Sequence, residues 1–312
     1  MAETVLTPAL TVEPAGLSPV CGDVCWPVHA VDEHGPGTAM PPASRTSPFP
    51  MPKTPKGCSM TRFPYFRPSL AVLALSVGLA GPVRADDTII AVAANFTAAA
   101  KEIGTAFETA TGHHVTYSFG STGQLYTQIT QGAPFEAFLA ADTARPEKAE
   151  AAGLGVPGTR FTYATGKIVL WSADPDLINA DGDILHSDAL THVAIANPVT
   201  APYGAAAVEA MQALGVYEAL QRRIVQGKTI LQTYQFAATG NADVGFVALS
   251  QVAMDDAGSR WGVPDDLYAP IRQDAILLQK GADSAAAAAY LDFLKSPEAA
   301  RIIERFGYGT GG

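Results

Sequence analysis

Two segments decide the fold: Ile89-Ile-Ala-Val-Ala-Ala-Asn95-Phe-Thr97 and, after a helical interval, Val115-Thr-Tyr-Ser-Phe-Gly-Ser-Thr-Gly123. Each begins as an apolar, β-branched or aromatic run and ends in a short polar turn that opens a helix. The first run, Thr88 to Ala93, has the continuous apolar character of a strand buried on both faces, as in parallel sheets. Asn95 is the expected N-cap of the helix after it, and Ile103, Ala106, Phe107 and Ala110 recur at i, i+3, i+4 and i+7 before Gly112 stops the helix. Val115 to Phe119 is the next strand, with Ser121 or Thr122 capping a helix that carries Leu125 and Ile129. If the two strands are parallel neighbours, both turns fall at one sheet edge. Two helix N-termini then aim N–H groups at one point, and that point attracts an anion.

Working outward, Phe138 to Ala141 supplies a third strand closed by Asp142, which completes a βαβ pattern. The long run from Phe161 to Trp171 reads as a strand leaving this lobe for a second. There Val193 to Ala196 and Arg223 to Gln226 are strands, and Ala201-Pro-Tyr-Gly204 opens a helix bearing Val208, Met211 and Leu214. Gly227-Lys-Thr-Ile230 opens another that runs to about Ala238, and Asp243 to Leu249 is a further strand. Ile271 to Gln279 leads back, followed by an Ala-rich helix from Ser284 and a last one around Glu298 to Phe306. The expected architecture is α/β, with two lobes of mostly parallel sheet flanked by helices: 86–165 plus 270–312 in one, 166–269 in the other. Ligands of such sheets bind at the carboxyl ends of the strands, here the cleft between lobes.

Upstream, residues 1–59 are rich in Pro and Gly without sustained periodicity and read as a disordered extension. Residues 60–85 have the form of a secretory signal: Arg62 and Arg67, an apolar run from Leu70 to Ala80, and Val83-Arg84-Ala85, with cleavage after Ala85. The apolar run is too short for a comfortable membrane span. All three cysteines, Cys21, Cys25 and Cys58, precede the cleavage point, so the exported chain would have neither disulfides nor thiolate metal sites. The formal net charge is −10, and residues 1–85 carry six basic and five acidic residues, so their removal makes the remainder slightly more acidic. Such a surface argues against nucleic acid and anionic lipid as partners.

Four turns face the expected cleft: Ala94-Asn95, Ser121-Thr122, Pro202-Tyr203 and Thr229-Ile230. They offer hydroxyls, an amide, a phenol and backbone N–H groups, and no carboxylate. That inventory suits a fully ionised oxyanion, because a protonated anion such as hydrogen phosphate needs an acceptor for its proton. Taken singly, each turn is an ordinary cap. Catalytic readings are weaker. Phe119-Gly-Ser-Thr-Gly123 lacks the glycine that a nucleophile elbow needs at Phe119. His113 and His114 point to opposite sides of a strand. Lys228-Thr229 lacks the spaced glycine of a phosphate loop, and Asp255-Asp256 and Asp265-Asp266 lack the spaced ligands of a calcium loop.

Ala91-Val-Ala-Ala-Asn-Phe96, Phe119-Gly-Ser-Thr-Gly123, Gly132-Ala-Pro134 with Ala140-Ala-Asp142, Arg160 to Trp171, Asn197-Pro with Ala201-Pro-Tyr-Gly204, and Gly245-Phe-Val-Ala-Leu249 together resemble the periplasmic molybdate-binding proteins of ABC importers. The resemblance covers essentially 86–312 and rests on the order and spacing of the motifs. It implies the two-lobed periplasmic binding protein fold and a monomeric periplasmic receptor without catalysis or cofactor. Such a receptor takes up molybdate or tungstate, the metal entering only as the oxyanion, and delivers it to an ABC permease at the inner membrane. The implied site is Asn95 with Ala94, Thr122 with Ser121, Tyr203, and the N–H of Ile230. Two positions depart from the family pattern. Asn95 stands where many members have serine, which would put an amide NH2 and the adjacent backbone N–H at that place. Ala248 follows Phe246-Val247, so the cleft tyrosine is Tyr203. The alternatives are a receptor of the same fold for another oxyanion such as sulfate and, more remotely, an exported hydrolase.

Overall fold

The computed structural model describes residues 85–310. The expected extension (1–59) and the leader (60–85) lie outside the described residues, Ala85 excepted. The first lobe contains β1 (Asp87–Ala93), α1 (Thr97–Thr111), β2 (His114–Gly120), α2 (Thr122–Thr130), β3 (Ala137–Leu139), α3 (Ala144–Ala151) and β4 (Phe161–Gly166). The second contains β5 (Ile168–Ser172), β6 (Val193–Ala196), α4 (Pro202–Ala213), α5 (Tyr217–Leu220), β7 (Ile224–Gly227), α6 (Ile230–Ala238), β8 (Val244–Ala248) and β9 (Ser259–Gly262). The chain returns to the first lobe through β10 (Ile271–Leu277), and α7 (Ala285–Leu294) and α8 (Pro297–Arg305) follow.

The two sheets are built alike, in the orders β2-β1-β3-β10-β4 and β7-β6-β8-β5-β9. In each, three consecutive neighbours are parallel and the fourth strand is antiparallel to both of its neighbours. That fourth strand is the one that has just crossed from the other lobe. It enters at the cleft edge, where the parallel strands end, and so must run the opposite way. The single long strand expected from Phe161 to Trp171 is therefore two, one per sheet, broken at Lys167. Lys167 Nζ sits 2.8 Å from Asp265 Oδ2, and Tyr268 OH donates to Asp265 Oδ1. Both crossings are thereby tied together.

Each sheet is buried on both faces, which explains the unbroken apolar runs. In the first lobe Ile90, Val92, Ile103, Phe107, Tyr290 and Ile303 form the core on one face, and Ala91, Leu125, Phe138 and Ile276 form it on the other. In the second lobe Leu170, Ile195, Ala207, Met211 and Phe246 pack opposite Val169, Trp171, Ala237 and Val247. Burying Ile103 or Phe107, each fully inaccessible, contributes about 1.5–3 kcal/mol. Gly112 ends α1 with a φ of 75°, the left-handed conformation in which a side chain is strained.

Burial also pushes the phenols of Tyr163, Tyr203 and Tyr290 above the ordinary tyrosine range. The unfolded phenols ionise near pH 10 while the buried ones stay neutral, so stability is undiminished below about pH 10 and falls above it. The slope is about 1.4 kcal/mol per pH unit for each such phenol. Urea midpoints measured from pH 8 to 11 should be flat at first and then drop steeply; a midpoint constant to pH 11 contradicts this.

Candidate functional site

The carboxyl ends of β1, β2, β6 and β7 meet at the joint between the lobes, and with them the four expected turns. All six expected site residues are buried: Ala94, Asn95, Ser121, Thr122, Tyr203 and Ile230 are each no more than 5% exposed. Ala93, Ala94 and Ala141 of the first lobe share one apolar cluster with Tyr203 and Ile230 of the second. The lobes touch directly. Gly123 N–H donates to Thr200 O at 2.9 Å, and Arg145, paired with Asp142, reaches Val199 O at 2.8 Å. Gly123 makes the contact close, since a Cβ there would lie 3.0 Å from Thr200 Cα.

Three hydroxyls have a hydrogen to give. Ser121 occupies the N-cap position of α2, yet its Oγ makes no cap bond and, though buried, has no hydrogen-bond partner among the described residues. Leaving such a group unpaired costs about 1–3 kcal/mol. Thr122 Oγ1 accepts the Ala141 N–H at 3.0 Å, so its own hydrogen is left over. Tyr203 OH accepts from Gln273 Nε2 at 3.2 Å and stands 3.4 Å from Asn95 Nδ2, whose two hydrogens go elsewhere, so its own hydrogen can turn to a ligand or to Tyr308. Burial keeps that phenol protonated. At the fourth turn Thr229 caps α6 by accepting the Gln232 N–H, and Ile230 is the first helical residue, whose N–H has no partner within the helix.

Asn95 differs from its expected place. It is not the N-cap of α1 but the middle of a 3-10 turn, Ala94–Phe96, and Phe96 is the cap residue. Its Nδ2 donates to Gln273 Oε1 at 2.8 Å and Tyr308 OH at 3.0 Å, and its carbonyl accepts from Ser250 Oγ and Tyr308 OH. The amide hydrogens are spent on the protein, which leaves the backbone as the donor this turn can offer.

The nearby carboxylates are neutralised: Asp142 by Arg145, and the buried Asp274 by Arg160 Nη1 at 2.7 Å and Thr162 Oγ1 at 2.7 Å. Gln273, Tyr163, Tyr308 and Ser250 were not anticipated as part of this joint. The signal for Gln273 was a polar triplet, Arg272-Gln273-Asp274, ahead of the apolar run Ala275 to Leu278, with Gln273 and Asp274 buried. His114 begins β2, at the opposite end from the cleft, and His113 accepts the Asp86 N–H nearby. A groove of about 640 Å³ between α1 and α8 is lined by Thr105, Thr109, Arg301 and Arg305 and lies away from the joint. Among the described residues no three His, Cys, Asp or Glu side chains gather as metal ligands, and no helix is long and apolar enough to cross a membrane.

Residues 89–309 match the model of the family described as bacterial extracellular solute-binding protein. The chain belongs to that family. It is 62% identical to the molybdate-binding protein ModA of Rhodobacter capsulatus over 252 residues, 80% of this chain and the whole of the relative. It is 54% identical to the ModA of Azotobacter vinelandii over 248 residues, covering 78% of this chain and 98% of that one. Among solved structures it superposes on the periplasmic molybdate-binding protein of Azotobacter vinelandii with a TM-score of 0.70. That match has 40% identity and covers 72% of this chain and 100% of the other. The two sheets flanked by helices are thus the fold of a periplasmic binding protein.

Proposed function

We propose that this protein is an exported receptor that closes its lobes over molybdate, or the isosteric tungstate, and delivers it to an ABC importer. The observation that carries the reading is the cluster of buried hydroxyl hydrogens at the joint, above all Ser121 Oγ. It stands unpartnered at a helix N-terminus beside Thr122, with Tyr203 contributed from the other lobe. Helix N-termini and neutral donors hold a dianion without a buried counter-charge, because dipoles from both lobes replace its water shell. The names of the relatives supply the identity of the oxyanion. In this reading Ala94, Asn95 and Ile230 contribute through their backbones, and Ser121, Thr122 and Tyr203 through their hydroxyls. The protein acts as a monomer in the periplasm after cleavage behind Ala85, with no cofactor and no catalytic step.

Replacing Tyr203 with Phe, or Thr122 with Ala, should weaken molybdate binding by about 1.5–3 kcal/mol each, the worth of a hydrogen bond to a charged group. Titration calorimetry reads this directly. Unchanged affinity in both variants removes these hydroxyls from the site and with them the proposed mode of binding.

A further inference from the structure

The turn 197–201 of the second lobe is gripped by the first lobe at two successive carbonyls, and neither bond uses a group of the proposed oxyanion site. Gly123 N–H donates to Thr200 O at 2.9 Å, and Arg145 Nη2 donates to Val199 O at 2.8 Å. The turn is held firm from within. Asn197 Oδ1 accepts the Val199 N–H at 2.9 Å, and Asn197 O accepts the N–H groups of Thr200 and Ala201. The Val199 side chain is 77% exposed, so the grip is on backbone and owes nothing to burial of that residue.

The first lobe is equally prepared. Arg145 N–H donates to Asp142 Oδ1 at 2.9 Å, and its guanidinium pairs through Nη1 with Asp142 Oδ2, which leaves Nη2 aimed across the cleft. The Arg145 side chain is only a quarter exposed, so its bond to Val199 O is weakly screened. Gly123 lies in the first turn of α2, where N–H groups have no acceptor inside the helix, and Thr200 O supplies one.

Every part of this grip is a near neighbour in sequence of a proposed ligand group. Gly123 follows Thr122. Asp142 follows Ala141, whose N–H donates to Thr122 Oγ1. Thr200 leads through Ala201 and Pro202 to Tyr203 at the start of α4. Parting the grip therefore moves Ser121 and Thr122 away from Tyr203, and an ion that draws those hydroxyls together seats the grip as well.

We propose that Arg145 is the positioning residue of a closing latch: with Gly123 it holds the Val199 and Thr200 carbonyls and sets how long the closed lobes retain the oxyanion, without touching it. The proposal rests on the reading of the joint as an oxyanion site and adds what governs release. A ligand enters the open form and leaves only after the lobes part, so bonds made only on closure slow departure and leave entry unchanged. A guanidinium that acted instead by attracting the dianion from a distance would change entry, and salt would abolish the effect.

The test follows release of isotope-labelled molybdate into excess unlabelled molybdate by rapid filtration, with affinity measured by calorimetry on the same proteins: wild type, Arg145→Gln and Arg145→Met. Both variants should release the ion about ten-fold faster and lose affinity by the same factor, the effect of removing one hydrogen bond from a charged donor. Entry, the release rate divided by the dissociation constant, should stay within about two-fold of wild type, a split that general loosening of the fold does not produce. The difference should persist at high salt. Exchange of the Gly123 amide, read by NMR without any oxyanion, should be faster in Arg145→Gln while the amides of β1 exchange as in wild type. Unchanged release in both variants, a loss that lies in entry, a loss abolished by salt, or equal exchange at Gly123 overturns the proposal. A wild type that holds labelled sulfate and not molybdate overturns the molybdate reading alone, and the same comparison made with sulfate then decides the latch.

Discussion

Gly166→Ala is expected to reduce oxyanion affinity by about 100-fold or more, although residue 166 would touch no ligand. Gly166 ends β4, and its φ lies outside the left-handed range, so the backbone itself would tolerate alanine. The objection is space. A Cβ there would lie 1.9 Å from Tyr203 OH, 2.8 Å from Tyr203 Cζ and 2.8 Å from Gln273 Nε2. A rigid ring set in a packed joint cannot yield by that much locally, so Tyr203 must withdraw and give up its bond to Gln273. The variant then loses one charge-directed hydrogen bond, about 1.5–3 kcal/mol, and adds overpacking of about 1–3 kcal/mol where the lobes meet. Calorimetry with molybdate checks the affinity, and circular dichroism establishes that both sheets persist. Wild-type affinity would mean that the Tyr203 hydroxyl does not act from the position described.

Gly204→Ala is expected to have the largest effect on stability. Gly204 lies in the first turn of α4, and a Cβ there would stand 2.1 Å from Ala196 O and 2.7 Å from Ala196 C, at the end of β6. Both atoms are backbone in a central strand of the second sheet, so relief requires lifting the helix off the strand. A loss of about 1–3 kcal/mol or more follows, seen as a lower urea midpoint. Because the same turn carries Tyr203, affinity should fall with it. A midpoint equal to that of wild type would show that α4 and β6 do not approach this closely.

The strand–turn–helix units were legible because they are local: a run of buried residues, a cap and a 3.6-residue stripe lie within reach of one another in sequence. The same locality marked Ser121-Thr122 and Thr229-Ile230 as helix starts. What escaped notice depends on distant residues. Asn95 was expected to cap α1, but its amide bonds to Gln273 and Tyr308, 178 and 213 residues away. Tertiary partners of that kind override a capping preference. The break at Lys167 was also hidden. The residues from Phe161 to Trp171 are apolar on both sides of it, and only sheet pairing shows that Gly166 belongs to one lobe and Ile168 to the other. Gln273 carried a visible mark, a polar residue in a buried strand, whose meaning depended on knowing what stood opposite.

The central claim is that the joint between the lobes binds a fully ionised oxyanion through neutral donors, and that molybdate is that ion. Thermal unfolding of the purified protein with molybdate, tungstate, sulfate, hydrogen phosphate or buffer alone tests it most directly. Molybdate and tungstate at about one hundred times their dissociation constants should each add about 2.7 kcal/mol of stability and raise the midpoint, with no rise from hydrogen phosphate. A midpoint that molybdate leaves where buffer alone leaves it would contradict the account.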